Sequence, residues 1–176
     1  MQIREIDRLL VRVAAEDNDA LEELYLKTKN GIFAFLYTYL GQFEATEDAL
    51  QTVFLKIKLH ASQYTPGTNG RAWILQIAKN TALTELKRNS RTTPLTELDE
   101  NDPALIVTPD FDCGSVSATM KRVLTEEEQQ IVTLHVLWGY RHREIGQLYG
   151  LPIGTVTSKY KRALAKLKKA LQEEEA

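Results

Sequence analysis

The stretch "YRHREIGQLYGLPIGTVTSKYKRALAKL", Tyr140 to Leu167, decides the fold. It divides as helix, tight turn, helix. Glu144, Ile145, Leu148 and Tyr149 belong to the first helix, and Gly150 supplies the turn's permissive backbone. Pro152 stands at the start of the second helix, where its missing N–H costs little. Along that second helix Ile153, Val156, Tyr160, Ala163, Leu164 and Leu167 form an inward stripe. Thr155, Ser158, Lys159, Arg162, Lys166 and Lys169 form the opposite one. A helix about 10–12 Å wide with polar tips fits the major groove of DNA, and the flanking cations meet phosphates.

The charge distribution fits that reading. The 176 residues carry a net charge of only -2. Residues 1–91 hold 12 Lys/Arg against 11 Asp/Glu, 92–119 hold 6 acids and no base, and 120–176 hold 10 bases against 7 acids. Eight of the bases lie between Arg141 and Lys169, with Glu144 as the one acid among them. A mild total therefore hides a basic C-terminal module behind an acidic connector, as expected of a chain whose parts meet different partners.

Immediately before this stretch, "LTEEEQQIV" places Thr125 as an N-cap with Glu128 three residues later, a capping box ahead of an apolar run. Ile131, Leu134, His135 and Leu137 or Trp138 continue the stripe to Gly139. Toward the N-terminus, Leu21, Leu24, Tyr25, Thr28, Ile32, Phe35, Leu36 and Tyr39 recur at spacings of three and four, and Gly41 closes that helix. A second helix is expected from about Thr46 as its cap, with Ala49, Leu50, Val53, Phe54 and Ile57 buried. Ser62–Gly70 reads as a loop, and a third helix follows with Trp73, Ile74, Ile77, Ala78 and Thr81 on one side. The residues before Ala20 read as a short extra helix. Pro94, Pro103, Pro109 and the six acids mark residues 92–119 as an extended, flexible linker. The expected architecture is all-α: a helical domain over 1–91, an acidic linker over 92–119, and a helix-turn-helix domain over 120–176.

Several function classes find no support. There is no Walker P-loop and no glycine-rich loop at a strand end. His60, His135 and His142 share no metal-ligand spacing with one another or with Cys113, the lone cysteine. "LDENDPALIVTPDFD" lacks the calcium-loop pattern. No run of about 18 apolar residues is present, and the N-terminus has no secretory h-region. The expectation is a cytoplasmic protein, without membrane insertion, that is not an enzyme and needs no cofactor.

The chain resembles the extracytoplasmic-function (ECF) sigma factors of bacterial RNA polymerase. "LEELYLKTKNGIFAFLYTYLG", "ATEDALQTVFLKI" and "RAWILQIAKNTALTELKR" look like that family's second conserved region. "LTEEEQQIVTLHVLWGYRHREIGQLYGLPIGTVTSKYKRALAKLKK" looks like its fourth. The resemblance implies promoter-specific initiation. The N-terminal module docks on core RNA polymerase and opens the −10 element; the C-terminal module reads the −35 element of promoter DNA. It also implies restraint by an anti-sigma factor.

Carried over by motif, Asp48 and Gln51 are the core-polymerase contacts, with Phe54 beside them as core. Asn80 meets an unpaired −10 base, and Lys79, Lys87, Arg88 and Arg91 hold phosphates; Tyr64, as an aromatic in the loop, is expected to stack on an unpaired −10 base, since every base has a π face. Trp73 falls in the same region as a packing anchor. Thr155, Ser158, Lys159, Lys161 and Arg162 match the −35 readers. Thr52 stands where the family usually has glutamate, Lys58 where an aromatic is usual, and Lys159 where arginine is usual. Pro152 replaces a serine or threonine cap worth about 1 kcal/mol. Two alternatives compete with this function. One is an autonomous helix-turn-helix regulator with an N-terminal dimerisation or ligand domain. The other is an adaptor whose helices bind only protein. The "EDALQTVF" helix favours docking on polymerase, since it looks like neither a pocket nor a symmetric seam.

Overall fold

The fold is described from a computed structural model, which places the backbone of residues 3–92 and 113–174 and the side chains of 5–88 and 118–173. Among these residues every regular element is a helix. The chain separates into two compact units, Met1–Asn101 and Asp102–Ala176.

The first unit packs four helices: α1 (Ile3–Ala14), α2 (Asn18–Leu40), α3 (Phe43–His60) and α4 (Gly70–Thr92), with a 3-10 turn at Ala61–Gln63. The α1 helix buries Ile6, Leu9, Leu10 and Val13 at a three-and-four spacing, so it belongs to the core. Asp17 caps α2, its carboxylate accepting from the Ala20 amide at 3.1 Å. Gly41 ends α2 in the left-handed conformation at φ 67°. The core joins Leu24, Ile32 and Leu36 of α2 to Val53 and Ile57 of α3 and to Ile74, Ala78 and Ala82 of α4.

One boundary differs from the sequence reading. The α3 helix begins at Phe43, three residues before the expected cap at Thr46. Phe43 packs on Phe33, with ring centroids 5.2 Å apart, and that contact draws the helix start forward. Thr46 is fully buried inside the first turn, where its hydroxyl donates to the Gln42 carbonyl at 2.7 Å.

The second unit holds α5 (Cys113–Val123), α6 (Glu126–Val136), α7 (His142–Tyr149) and α8 (Ile153–Glu174). The α5 helix starts inside the segment expected to be linker. Its C-terminal end is apolar: Met120 and Val123 pack with Leu124 against Val132 of α6 and Ala163 of α8. Those contacts supply the burial that the acidic composition upstream did not suggest. The acidic stretch itself, 93–112, lies outside the described residues.

The expected capping box is present. Thr125 Oγ1 accepts from the Glu128 amide at 3.3 Å, and Glu128 Oε2 accepts from the Thr125 amide at 3.0 Å. The turn between α7 and α8 is tight. Gly150 sits at φ 66° and its amide donates to the Gly146 carbonyl. A side chain at Gly146 would have no room, since a Cβ there would lie 2.6 Å from the Leu151 carbonyl oxygen. Pro152 falls just before α8, and its carbonyl accepts from Thr155 and Val156 at 3.0 and 3.2 Å.

Candidate promoter-recognition and docking surfaces

On α8, burial runs through Val156, Ala163 and Ala170, with Tyr160 and Leu167 half-buried beside them. The opposite side faces solvent. Ser158, Lys161 and Arg162 are exposed and Thr155 is half-exposed. At 100° per residue, Thr155, Ser158 and Arg162 share one face and Lys161 lies on the neighbouring flank.

Lys159 departs from this picture. Its ammonium pairs with Glu127 at 2.7 Å, and the side chain is 24% exposed. Lys166 likewise donates to both oxygens of Glu128, at 3.1 and 2.8 Å. Two cations of the stripe read as DNA-facing are thus committed to the acids that open α6. Burial raises the Glu128 carboxyl, but Lys166 and the Thr125 amide outweigh it and hold the group below the ordinary carboxylate range.

His135, His142 and Tyr160 form a three-ring cluster joining α6, α7 and α8, with centroids 4.6, 4.7 and 4.9 Å apart. Nothing in the histidine spacing announced this. His135 Nδ1 meets the Tyr140 carbonyl at 2.7 Å, and a carbonyl can only accept, so that nitrogen carries the proton. Thr157 donates its hydroxyl to Ile153, so His142 Nδ1 donates to the same oxygen at 3.1 Å. That leaves His142 Nε2 a buried acceptor without a hydrogen-bond partner. Burial first, and the neighbouring His135 second, push the His142 pKa below its ordinary value. No third metal-ligating side chain joins the pair among the described residues.

In the first unit Asp48 and Gln51 are exposed on α3. Leu55 and Leu59, 58% and 64% exposed, continue the same stripe at intervals of four. They lie opposite the buried stripe of Ala49, Val53 and Ile57, and the sequence reading did not single them out. Phe54 is buried and meets Tyr25 edge-on at 4.8 Å, which makes it a packing residue.

On α4, Asn80 is exposed and accepts from Gln76 Nε2 at 3.0 Å. Lys79 is half-exposed, Lys87 and Arg88 are exposed, and Arg88 pairs with Glu85 at 2.8 Å. The Arg91 side chain lies outside the described residues. Tyr64 requires a correction. The ring expected to stack on a base is 5% exposed, packs against Trp73 at 5.6 Å and donates its hydroxyl to Asp7 at 2.8 Å. It has no open face to offer, because α1 covers it.

Comparison with known proteins agrees with the two-unit division. The Sigma-70 region 2 model matches residues 24–92 and the Sigma-70 region 4 model matches 122–169. RNA polymerase sigma factor CarQ of Myxococcus xanthus is 26% identical over 158 residues, covering 88% of this chain and 91% of that protein. RNA polymerase sigma-H factor of Pseudomonas aeruginosa is 27% identical over 187 residues, covering 98% and 97%. ECF RNA polymerase sigma factor SigK of Mycobacterium tuberculosis is 25% identical over 177 residues, covering 95% and 94%.

Two solved structures share the fold. One is CnrH in complex with the cytosolic domain of CnrY, with a TM-score of 0.63 at 18% identity, covering 96% of this chain and 98% of that one. The other is the sigma factor RpoE in complex with the anti-sigma factor NepR from Bartonella quintana, with a TM-score of 0.62 at 19% identity, covering 86% and 96%. On its two helical units and the family regions they match in order, this chain belongs to the extracytoplasmic-function sigma factors of RNA polymerase.

Proposed function

We propose that the chain binds core RNA polymerase through the α3 face of Asp48, Gln51, Leu55 and Leu59, and so brings the enzyme to promoters carrying matching −10 and −35 elements. Sigma factors are transcription initiation factors, not enzymes. The observation that carries the reading is the ordered pair of family regions on two separately compact helical units.

The α4 face of Gln76, Lys79, Asn80 and Lys87, with the exposed loop 65–69 at its N-terminus, meets the unpaired −10 strand. A carboxamide such as Asn80 offers both a donor and an acceptor to a base edge. The α8 face of Thr155, Ser158, Lys161 and Arg162 enters the major groove at −35. Arg162 suits bidentate pairing with guanine. Lys159, its ammonium neutralised by Glu127, reads no base.

The protein works in the cytoplasm, where polymerase is. No described helix is long and apolar enough to cross a membrane. An anti-sigma factor holds it inactive, by analogy with the RpoE–NepR complex. Adding the purified chain to core polymerase tests the reading: co-elution and a defined transcription start site are expected. Tight duplex binding alone, with indifference to core, would instead identify an autonomous regulator.

A further inference from the structure

Both ends of the loop 65–69, which leads into α4, are tied to one oxygen atom. Asp7 Oδ1, on α1, accepts the Tyr64 hydroxyl at 2.8 Å and the Gly70 amide at 2.8 Å. The two donors bracket the five residues 65–69, of which Thr65, Pro66, Gly67 and Thr68 are exposed. Within the bracket Thr68 donates its hydroxyl to the Thr65 carbonyl at 2.7 Å, and Asn69 accepts the Ala72 amide at 3.2 Å. Gly70 opens α4, so Asp7 satisfies one of that helix's orphan amides from another helix, which is where a carboxylate is most favoured.

A side chain at 70 would force Asp7 and Leu10 to move. A Cβ there would lie 2.7 Å from Asp7 Oδ1 and 2.9 Å from Leu10 Cδ1. Burial raises the Tyr64 pKa above its ordinary value, so the hydroxyl stays a donor through neutral pH. The α1 helix is itself anchored by Ile6 and Leu10, both fully buried on either side of Asp7.

We infer that Asp7 is a positioning residue for promoter opening: it fixes loop 65–69 and the first turn of α4 as a rigid platform for the unpaired −10 strand. The inference rests on the proposed role of the α4 face. Entropy is the physical reason. Each backbone residue left mobile must lose conformational entropy when a strand is captured, and a pre-formed loop has met that cost on folding. Asp7 touches no base; it acts through Tyr64 and Gly70.

The test compares Asp7→Ala, Asp7→Asn and Tyr64→Phe in the full chain bound to core polymerase. Opening of a duplex promoter is read by permanganate reactivity of −10 thymines, and core affinity is measured separately. Asp7→Ala should slow opening about tenfold, the scale of losing hydrogen bonds to a charged group, with core affinity unchanged. Asp7→Asn should retain most of the rate, because its amide oxygen can accept both bonds.

Equal defects in the alanine and asparagine variants, or opening at the wild-type rate in Asp7→Ala, overturn the inference. If Asp7→Ala does not fold, Tyr64→Phe decides, since it keeps the ring and removes one bond. About threefold slower opening supports the inference on the same scale, and an unchanged rate overturns it. A wild-type holoenzyme that opens no promoter would overturn the proposed function instead, which separates the two failures.

Discussion

Removing the Glu128 carboxylate should destabilise the C-terminal unit through two bonds at once. Its side chain is 7% exposed, caps the Thr125 amide at 3.0 Å and receives Lys166 at 2.8 Å. Loss of a helix cap costs about 1 kcal/mol. Lys166 is 43% exposed and returns its ammonium to water, so the ion pair adds only about 1 kcal/mol more. For Glu128→Ala the total of about 2 kcal/mol corresponds to a fall in Tm of roughly 8–16 °C for a unit of this size. Glu128→Gln keeps an acceptor for the amide and loses the charge, so it should cost about half as much.

Thermal melts followed by Trp138 fluorescence, in a Trp73→Phe background, report the C-terminal unit alone, since Trp138 is buried there. The carboxyl titrates below its ordinary range when folded. Its contribution is therefore complete above the unfolded pKa and is lost as pH falls through the lowered folded value. Glu128→Gln should accordingly flatten the acid limb of the stability profile. A double-mutant cycle with Lys166→Met should give a coupling of about 1 kcal/mol. Zero coupling, or identical melts for the alanine and glutamine variants, would refute the two-bond account.

Further outcomes are expected. His142 is held neutral by burial, so the unfolded state takes up the proton first, and stability should drop as pH falls from the ordinary value of 6.5 toward the lower folded pKa. A titration midpoint for His142 above 6.5 in the intact protein would contradict that environment. Arg162→Ala should weaken initiation and relax preference at one −35 base pair by about 1–3 kcal/mol; equal losses on every promoter variant would reduce the residue to plain charge. Leu55→Ala combined with Asp48→Ala should lower core affinity while leaving duplex contacts of the C-terminal unit intact, and unaltered core affinity would remove α3 from the docking surface.

Local chemistry was readable in the chain and long-range chemistry was not. The Thr125–Glu128 box and the Gly150 turn involve partners within a few residues, where spacing alone dictates geometry. Tyr64 looked available because its partner, Asp7, lies 57 positions away on another helix. Lys159 looked free for the same reason, its acid being 32 positions distant. Thr46 was misread because threonine suits both a cap and a buried first turn, and only the Phe33–Phe43 contact distinguishes them. Leu55 and Leu59 lie opposite the buried stripe of Ala49, Val53 and Ile57, so periodicity already turns them outward; what it does not supply is a reason for leucine on a solvent face, which only a partner gives.

The pairing of Lys159 and Lys166 with the acids of α6 bears on how the protein travels through a genome. Counterion release scales with the number of cations that reach phosphate, and it governs how long a protein lingers on random sequence. Within a Debye length of about 8 Å, where charge is still felt, a passing duplex meets two neutralised pairs in place of two free cations. The isolated protein should therefore let go of arbitrary DNA readily, and loitering at a wrong address is curtailed before polymerase arrives to stabilise the right one.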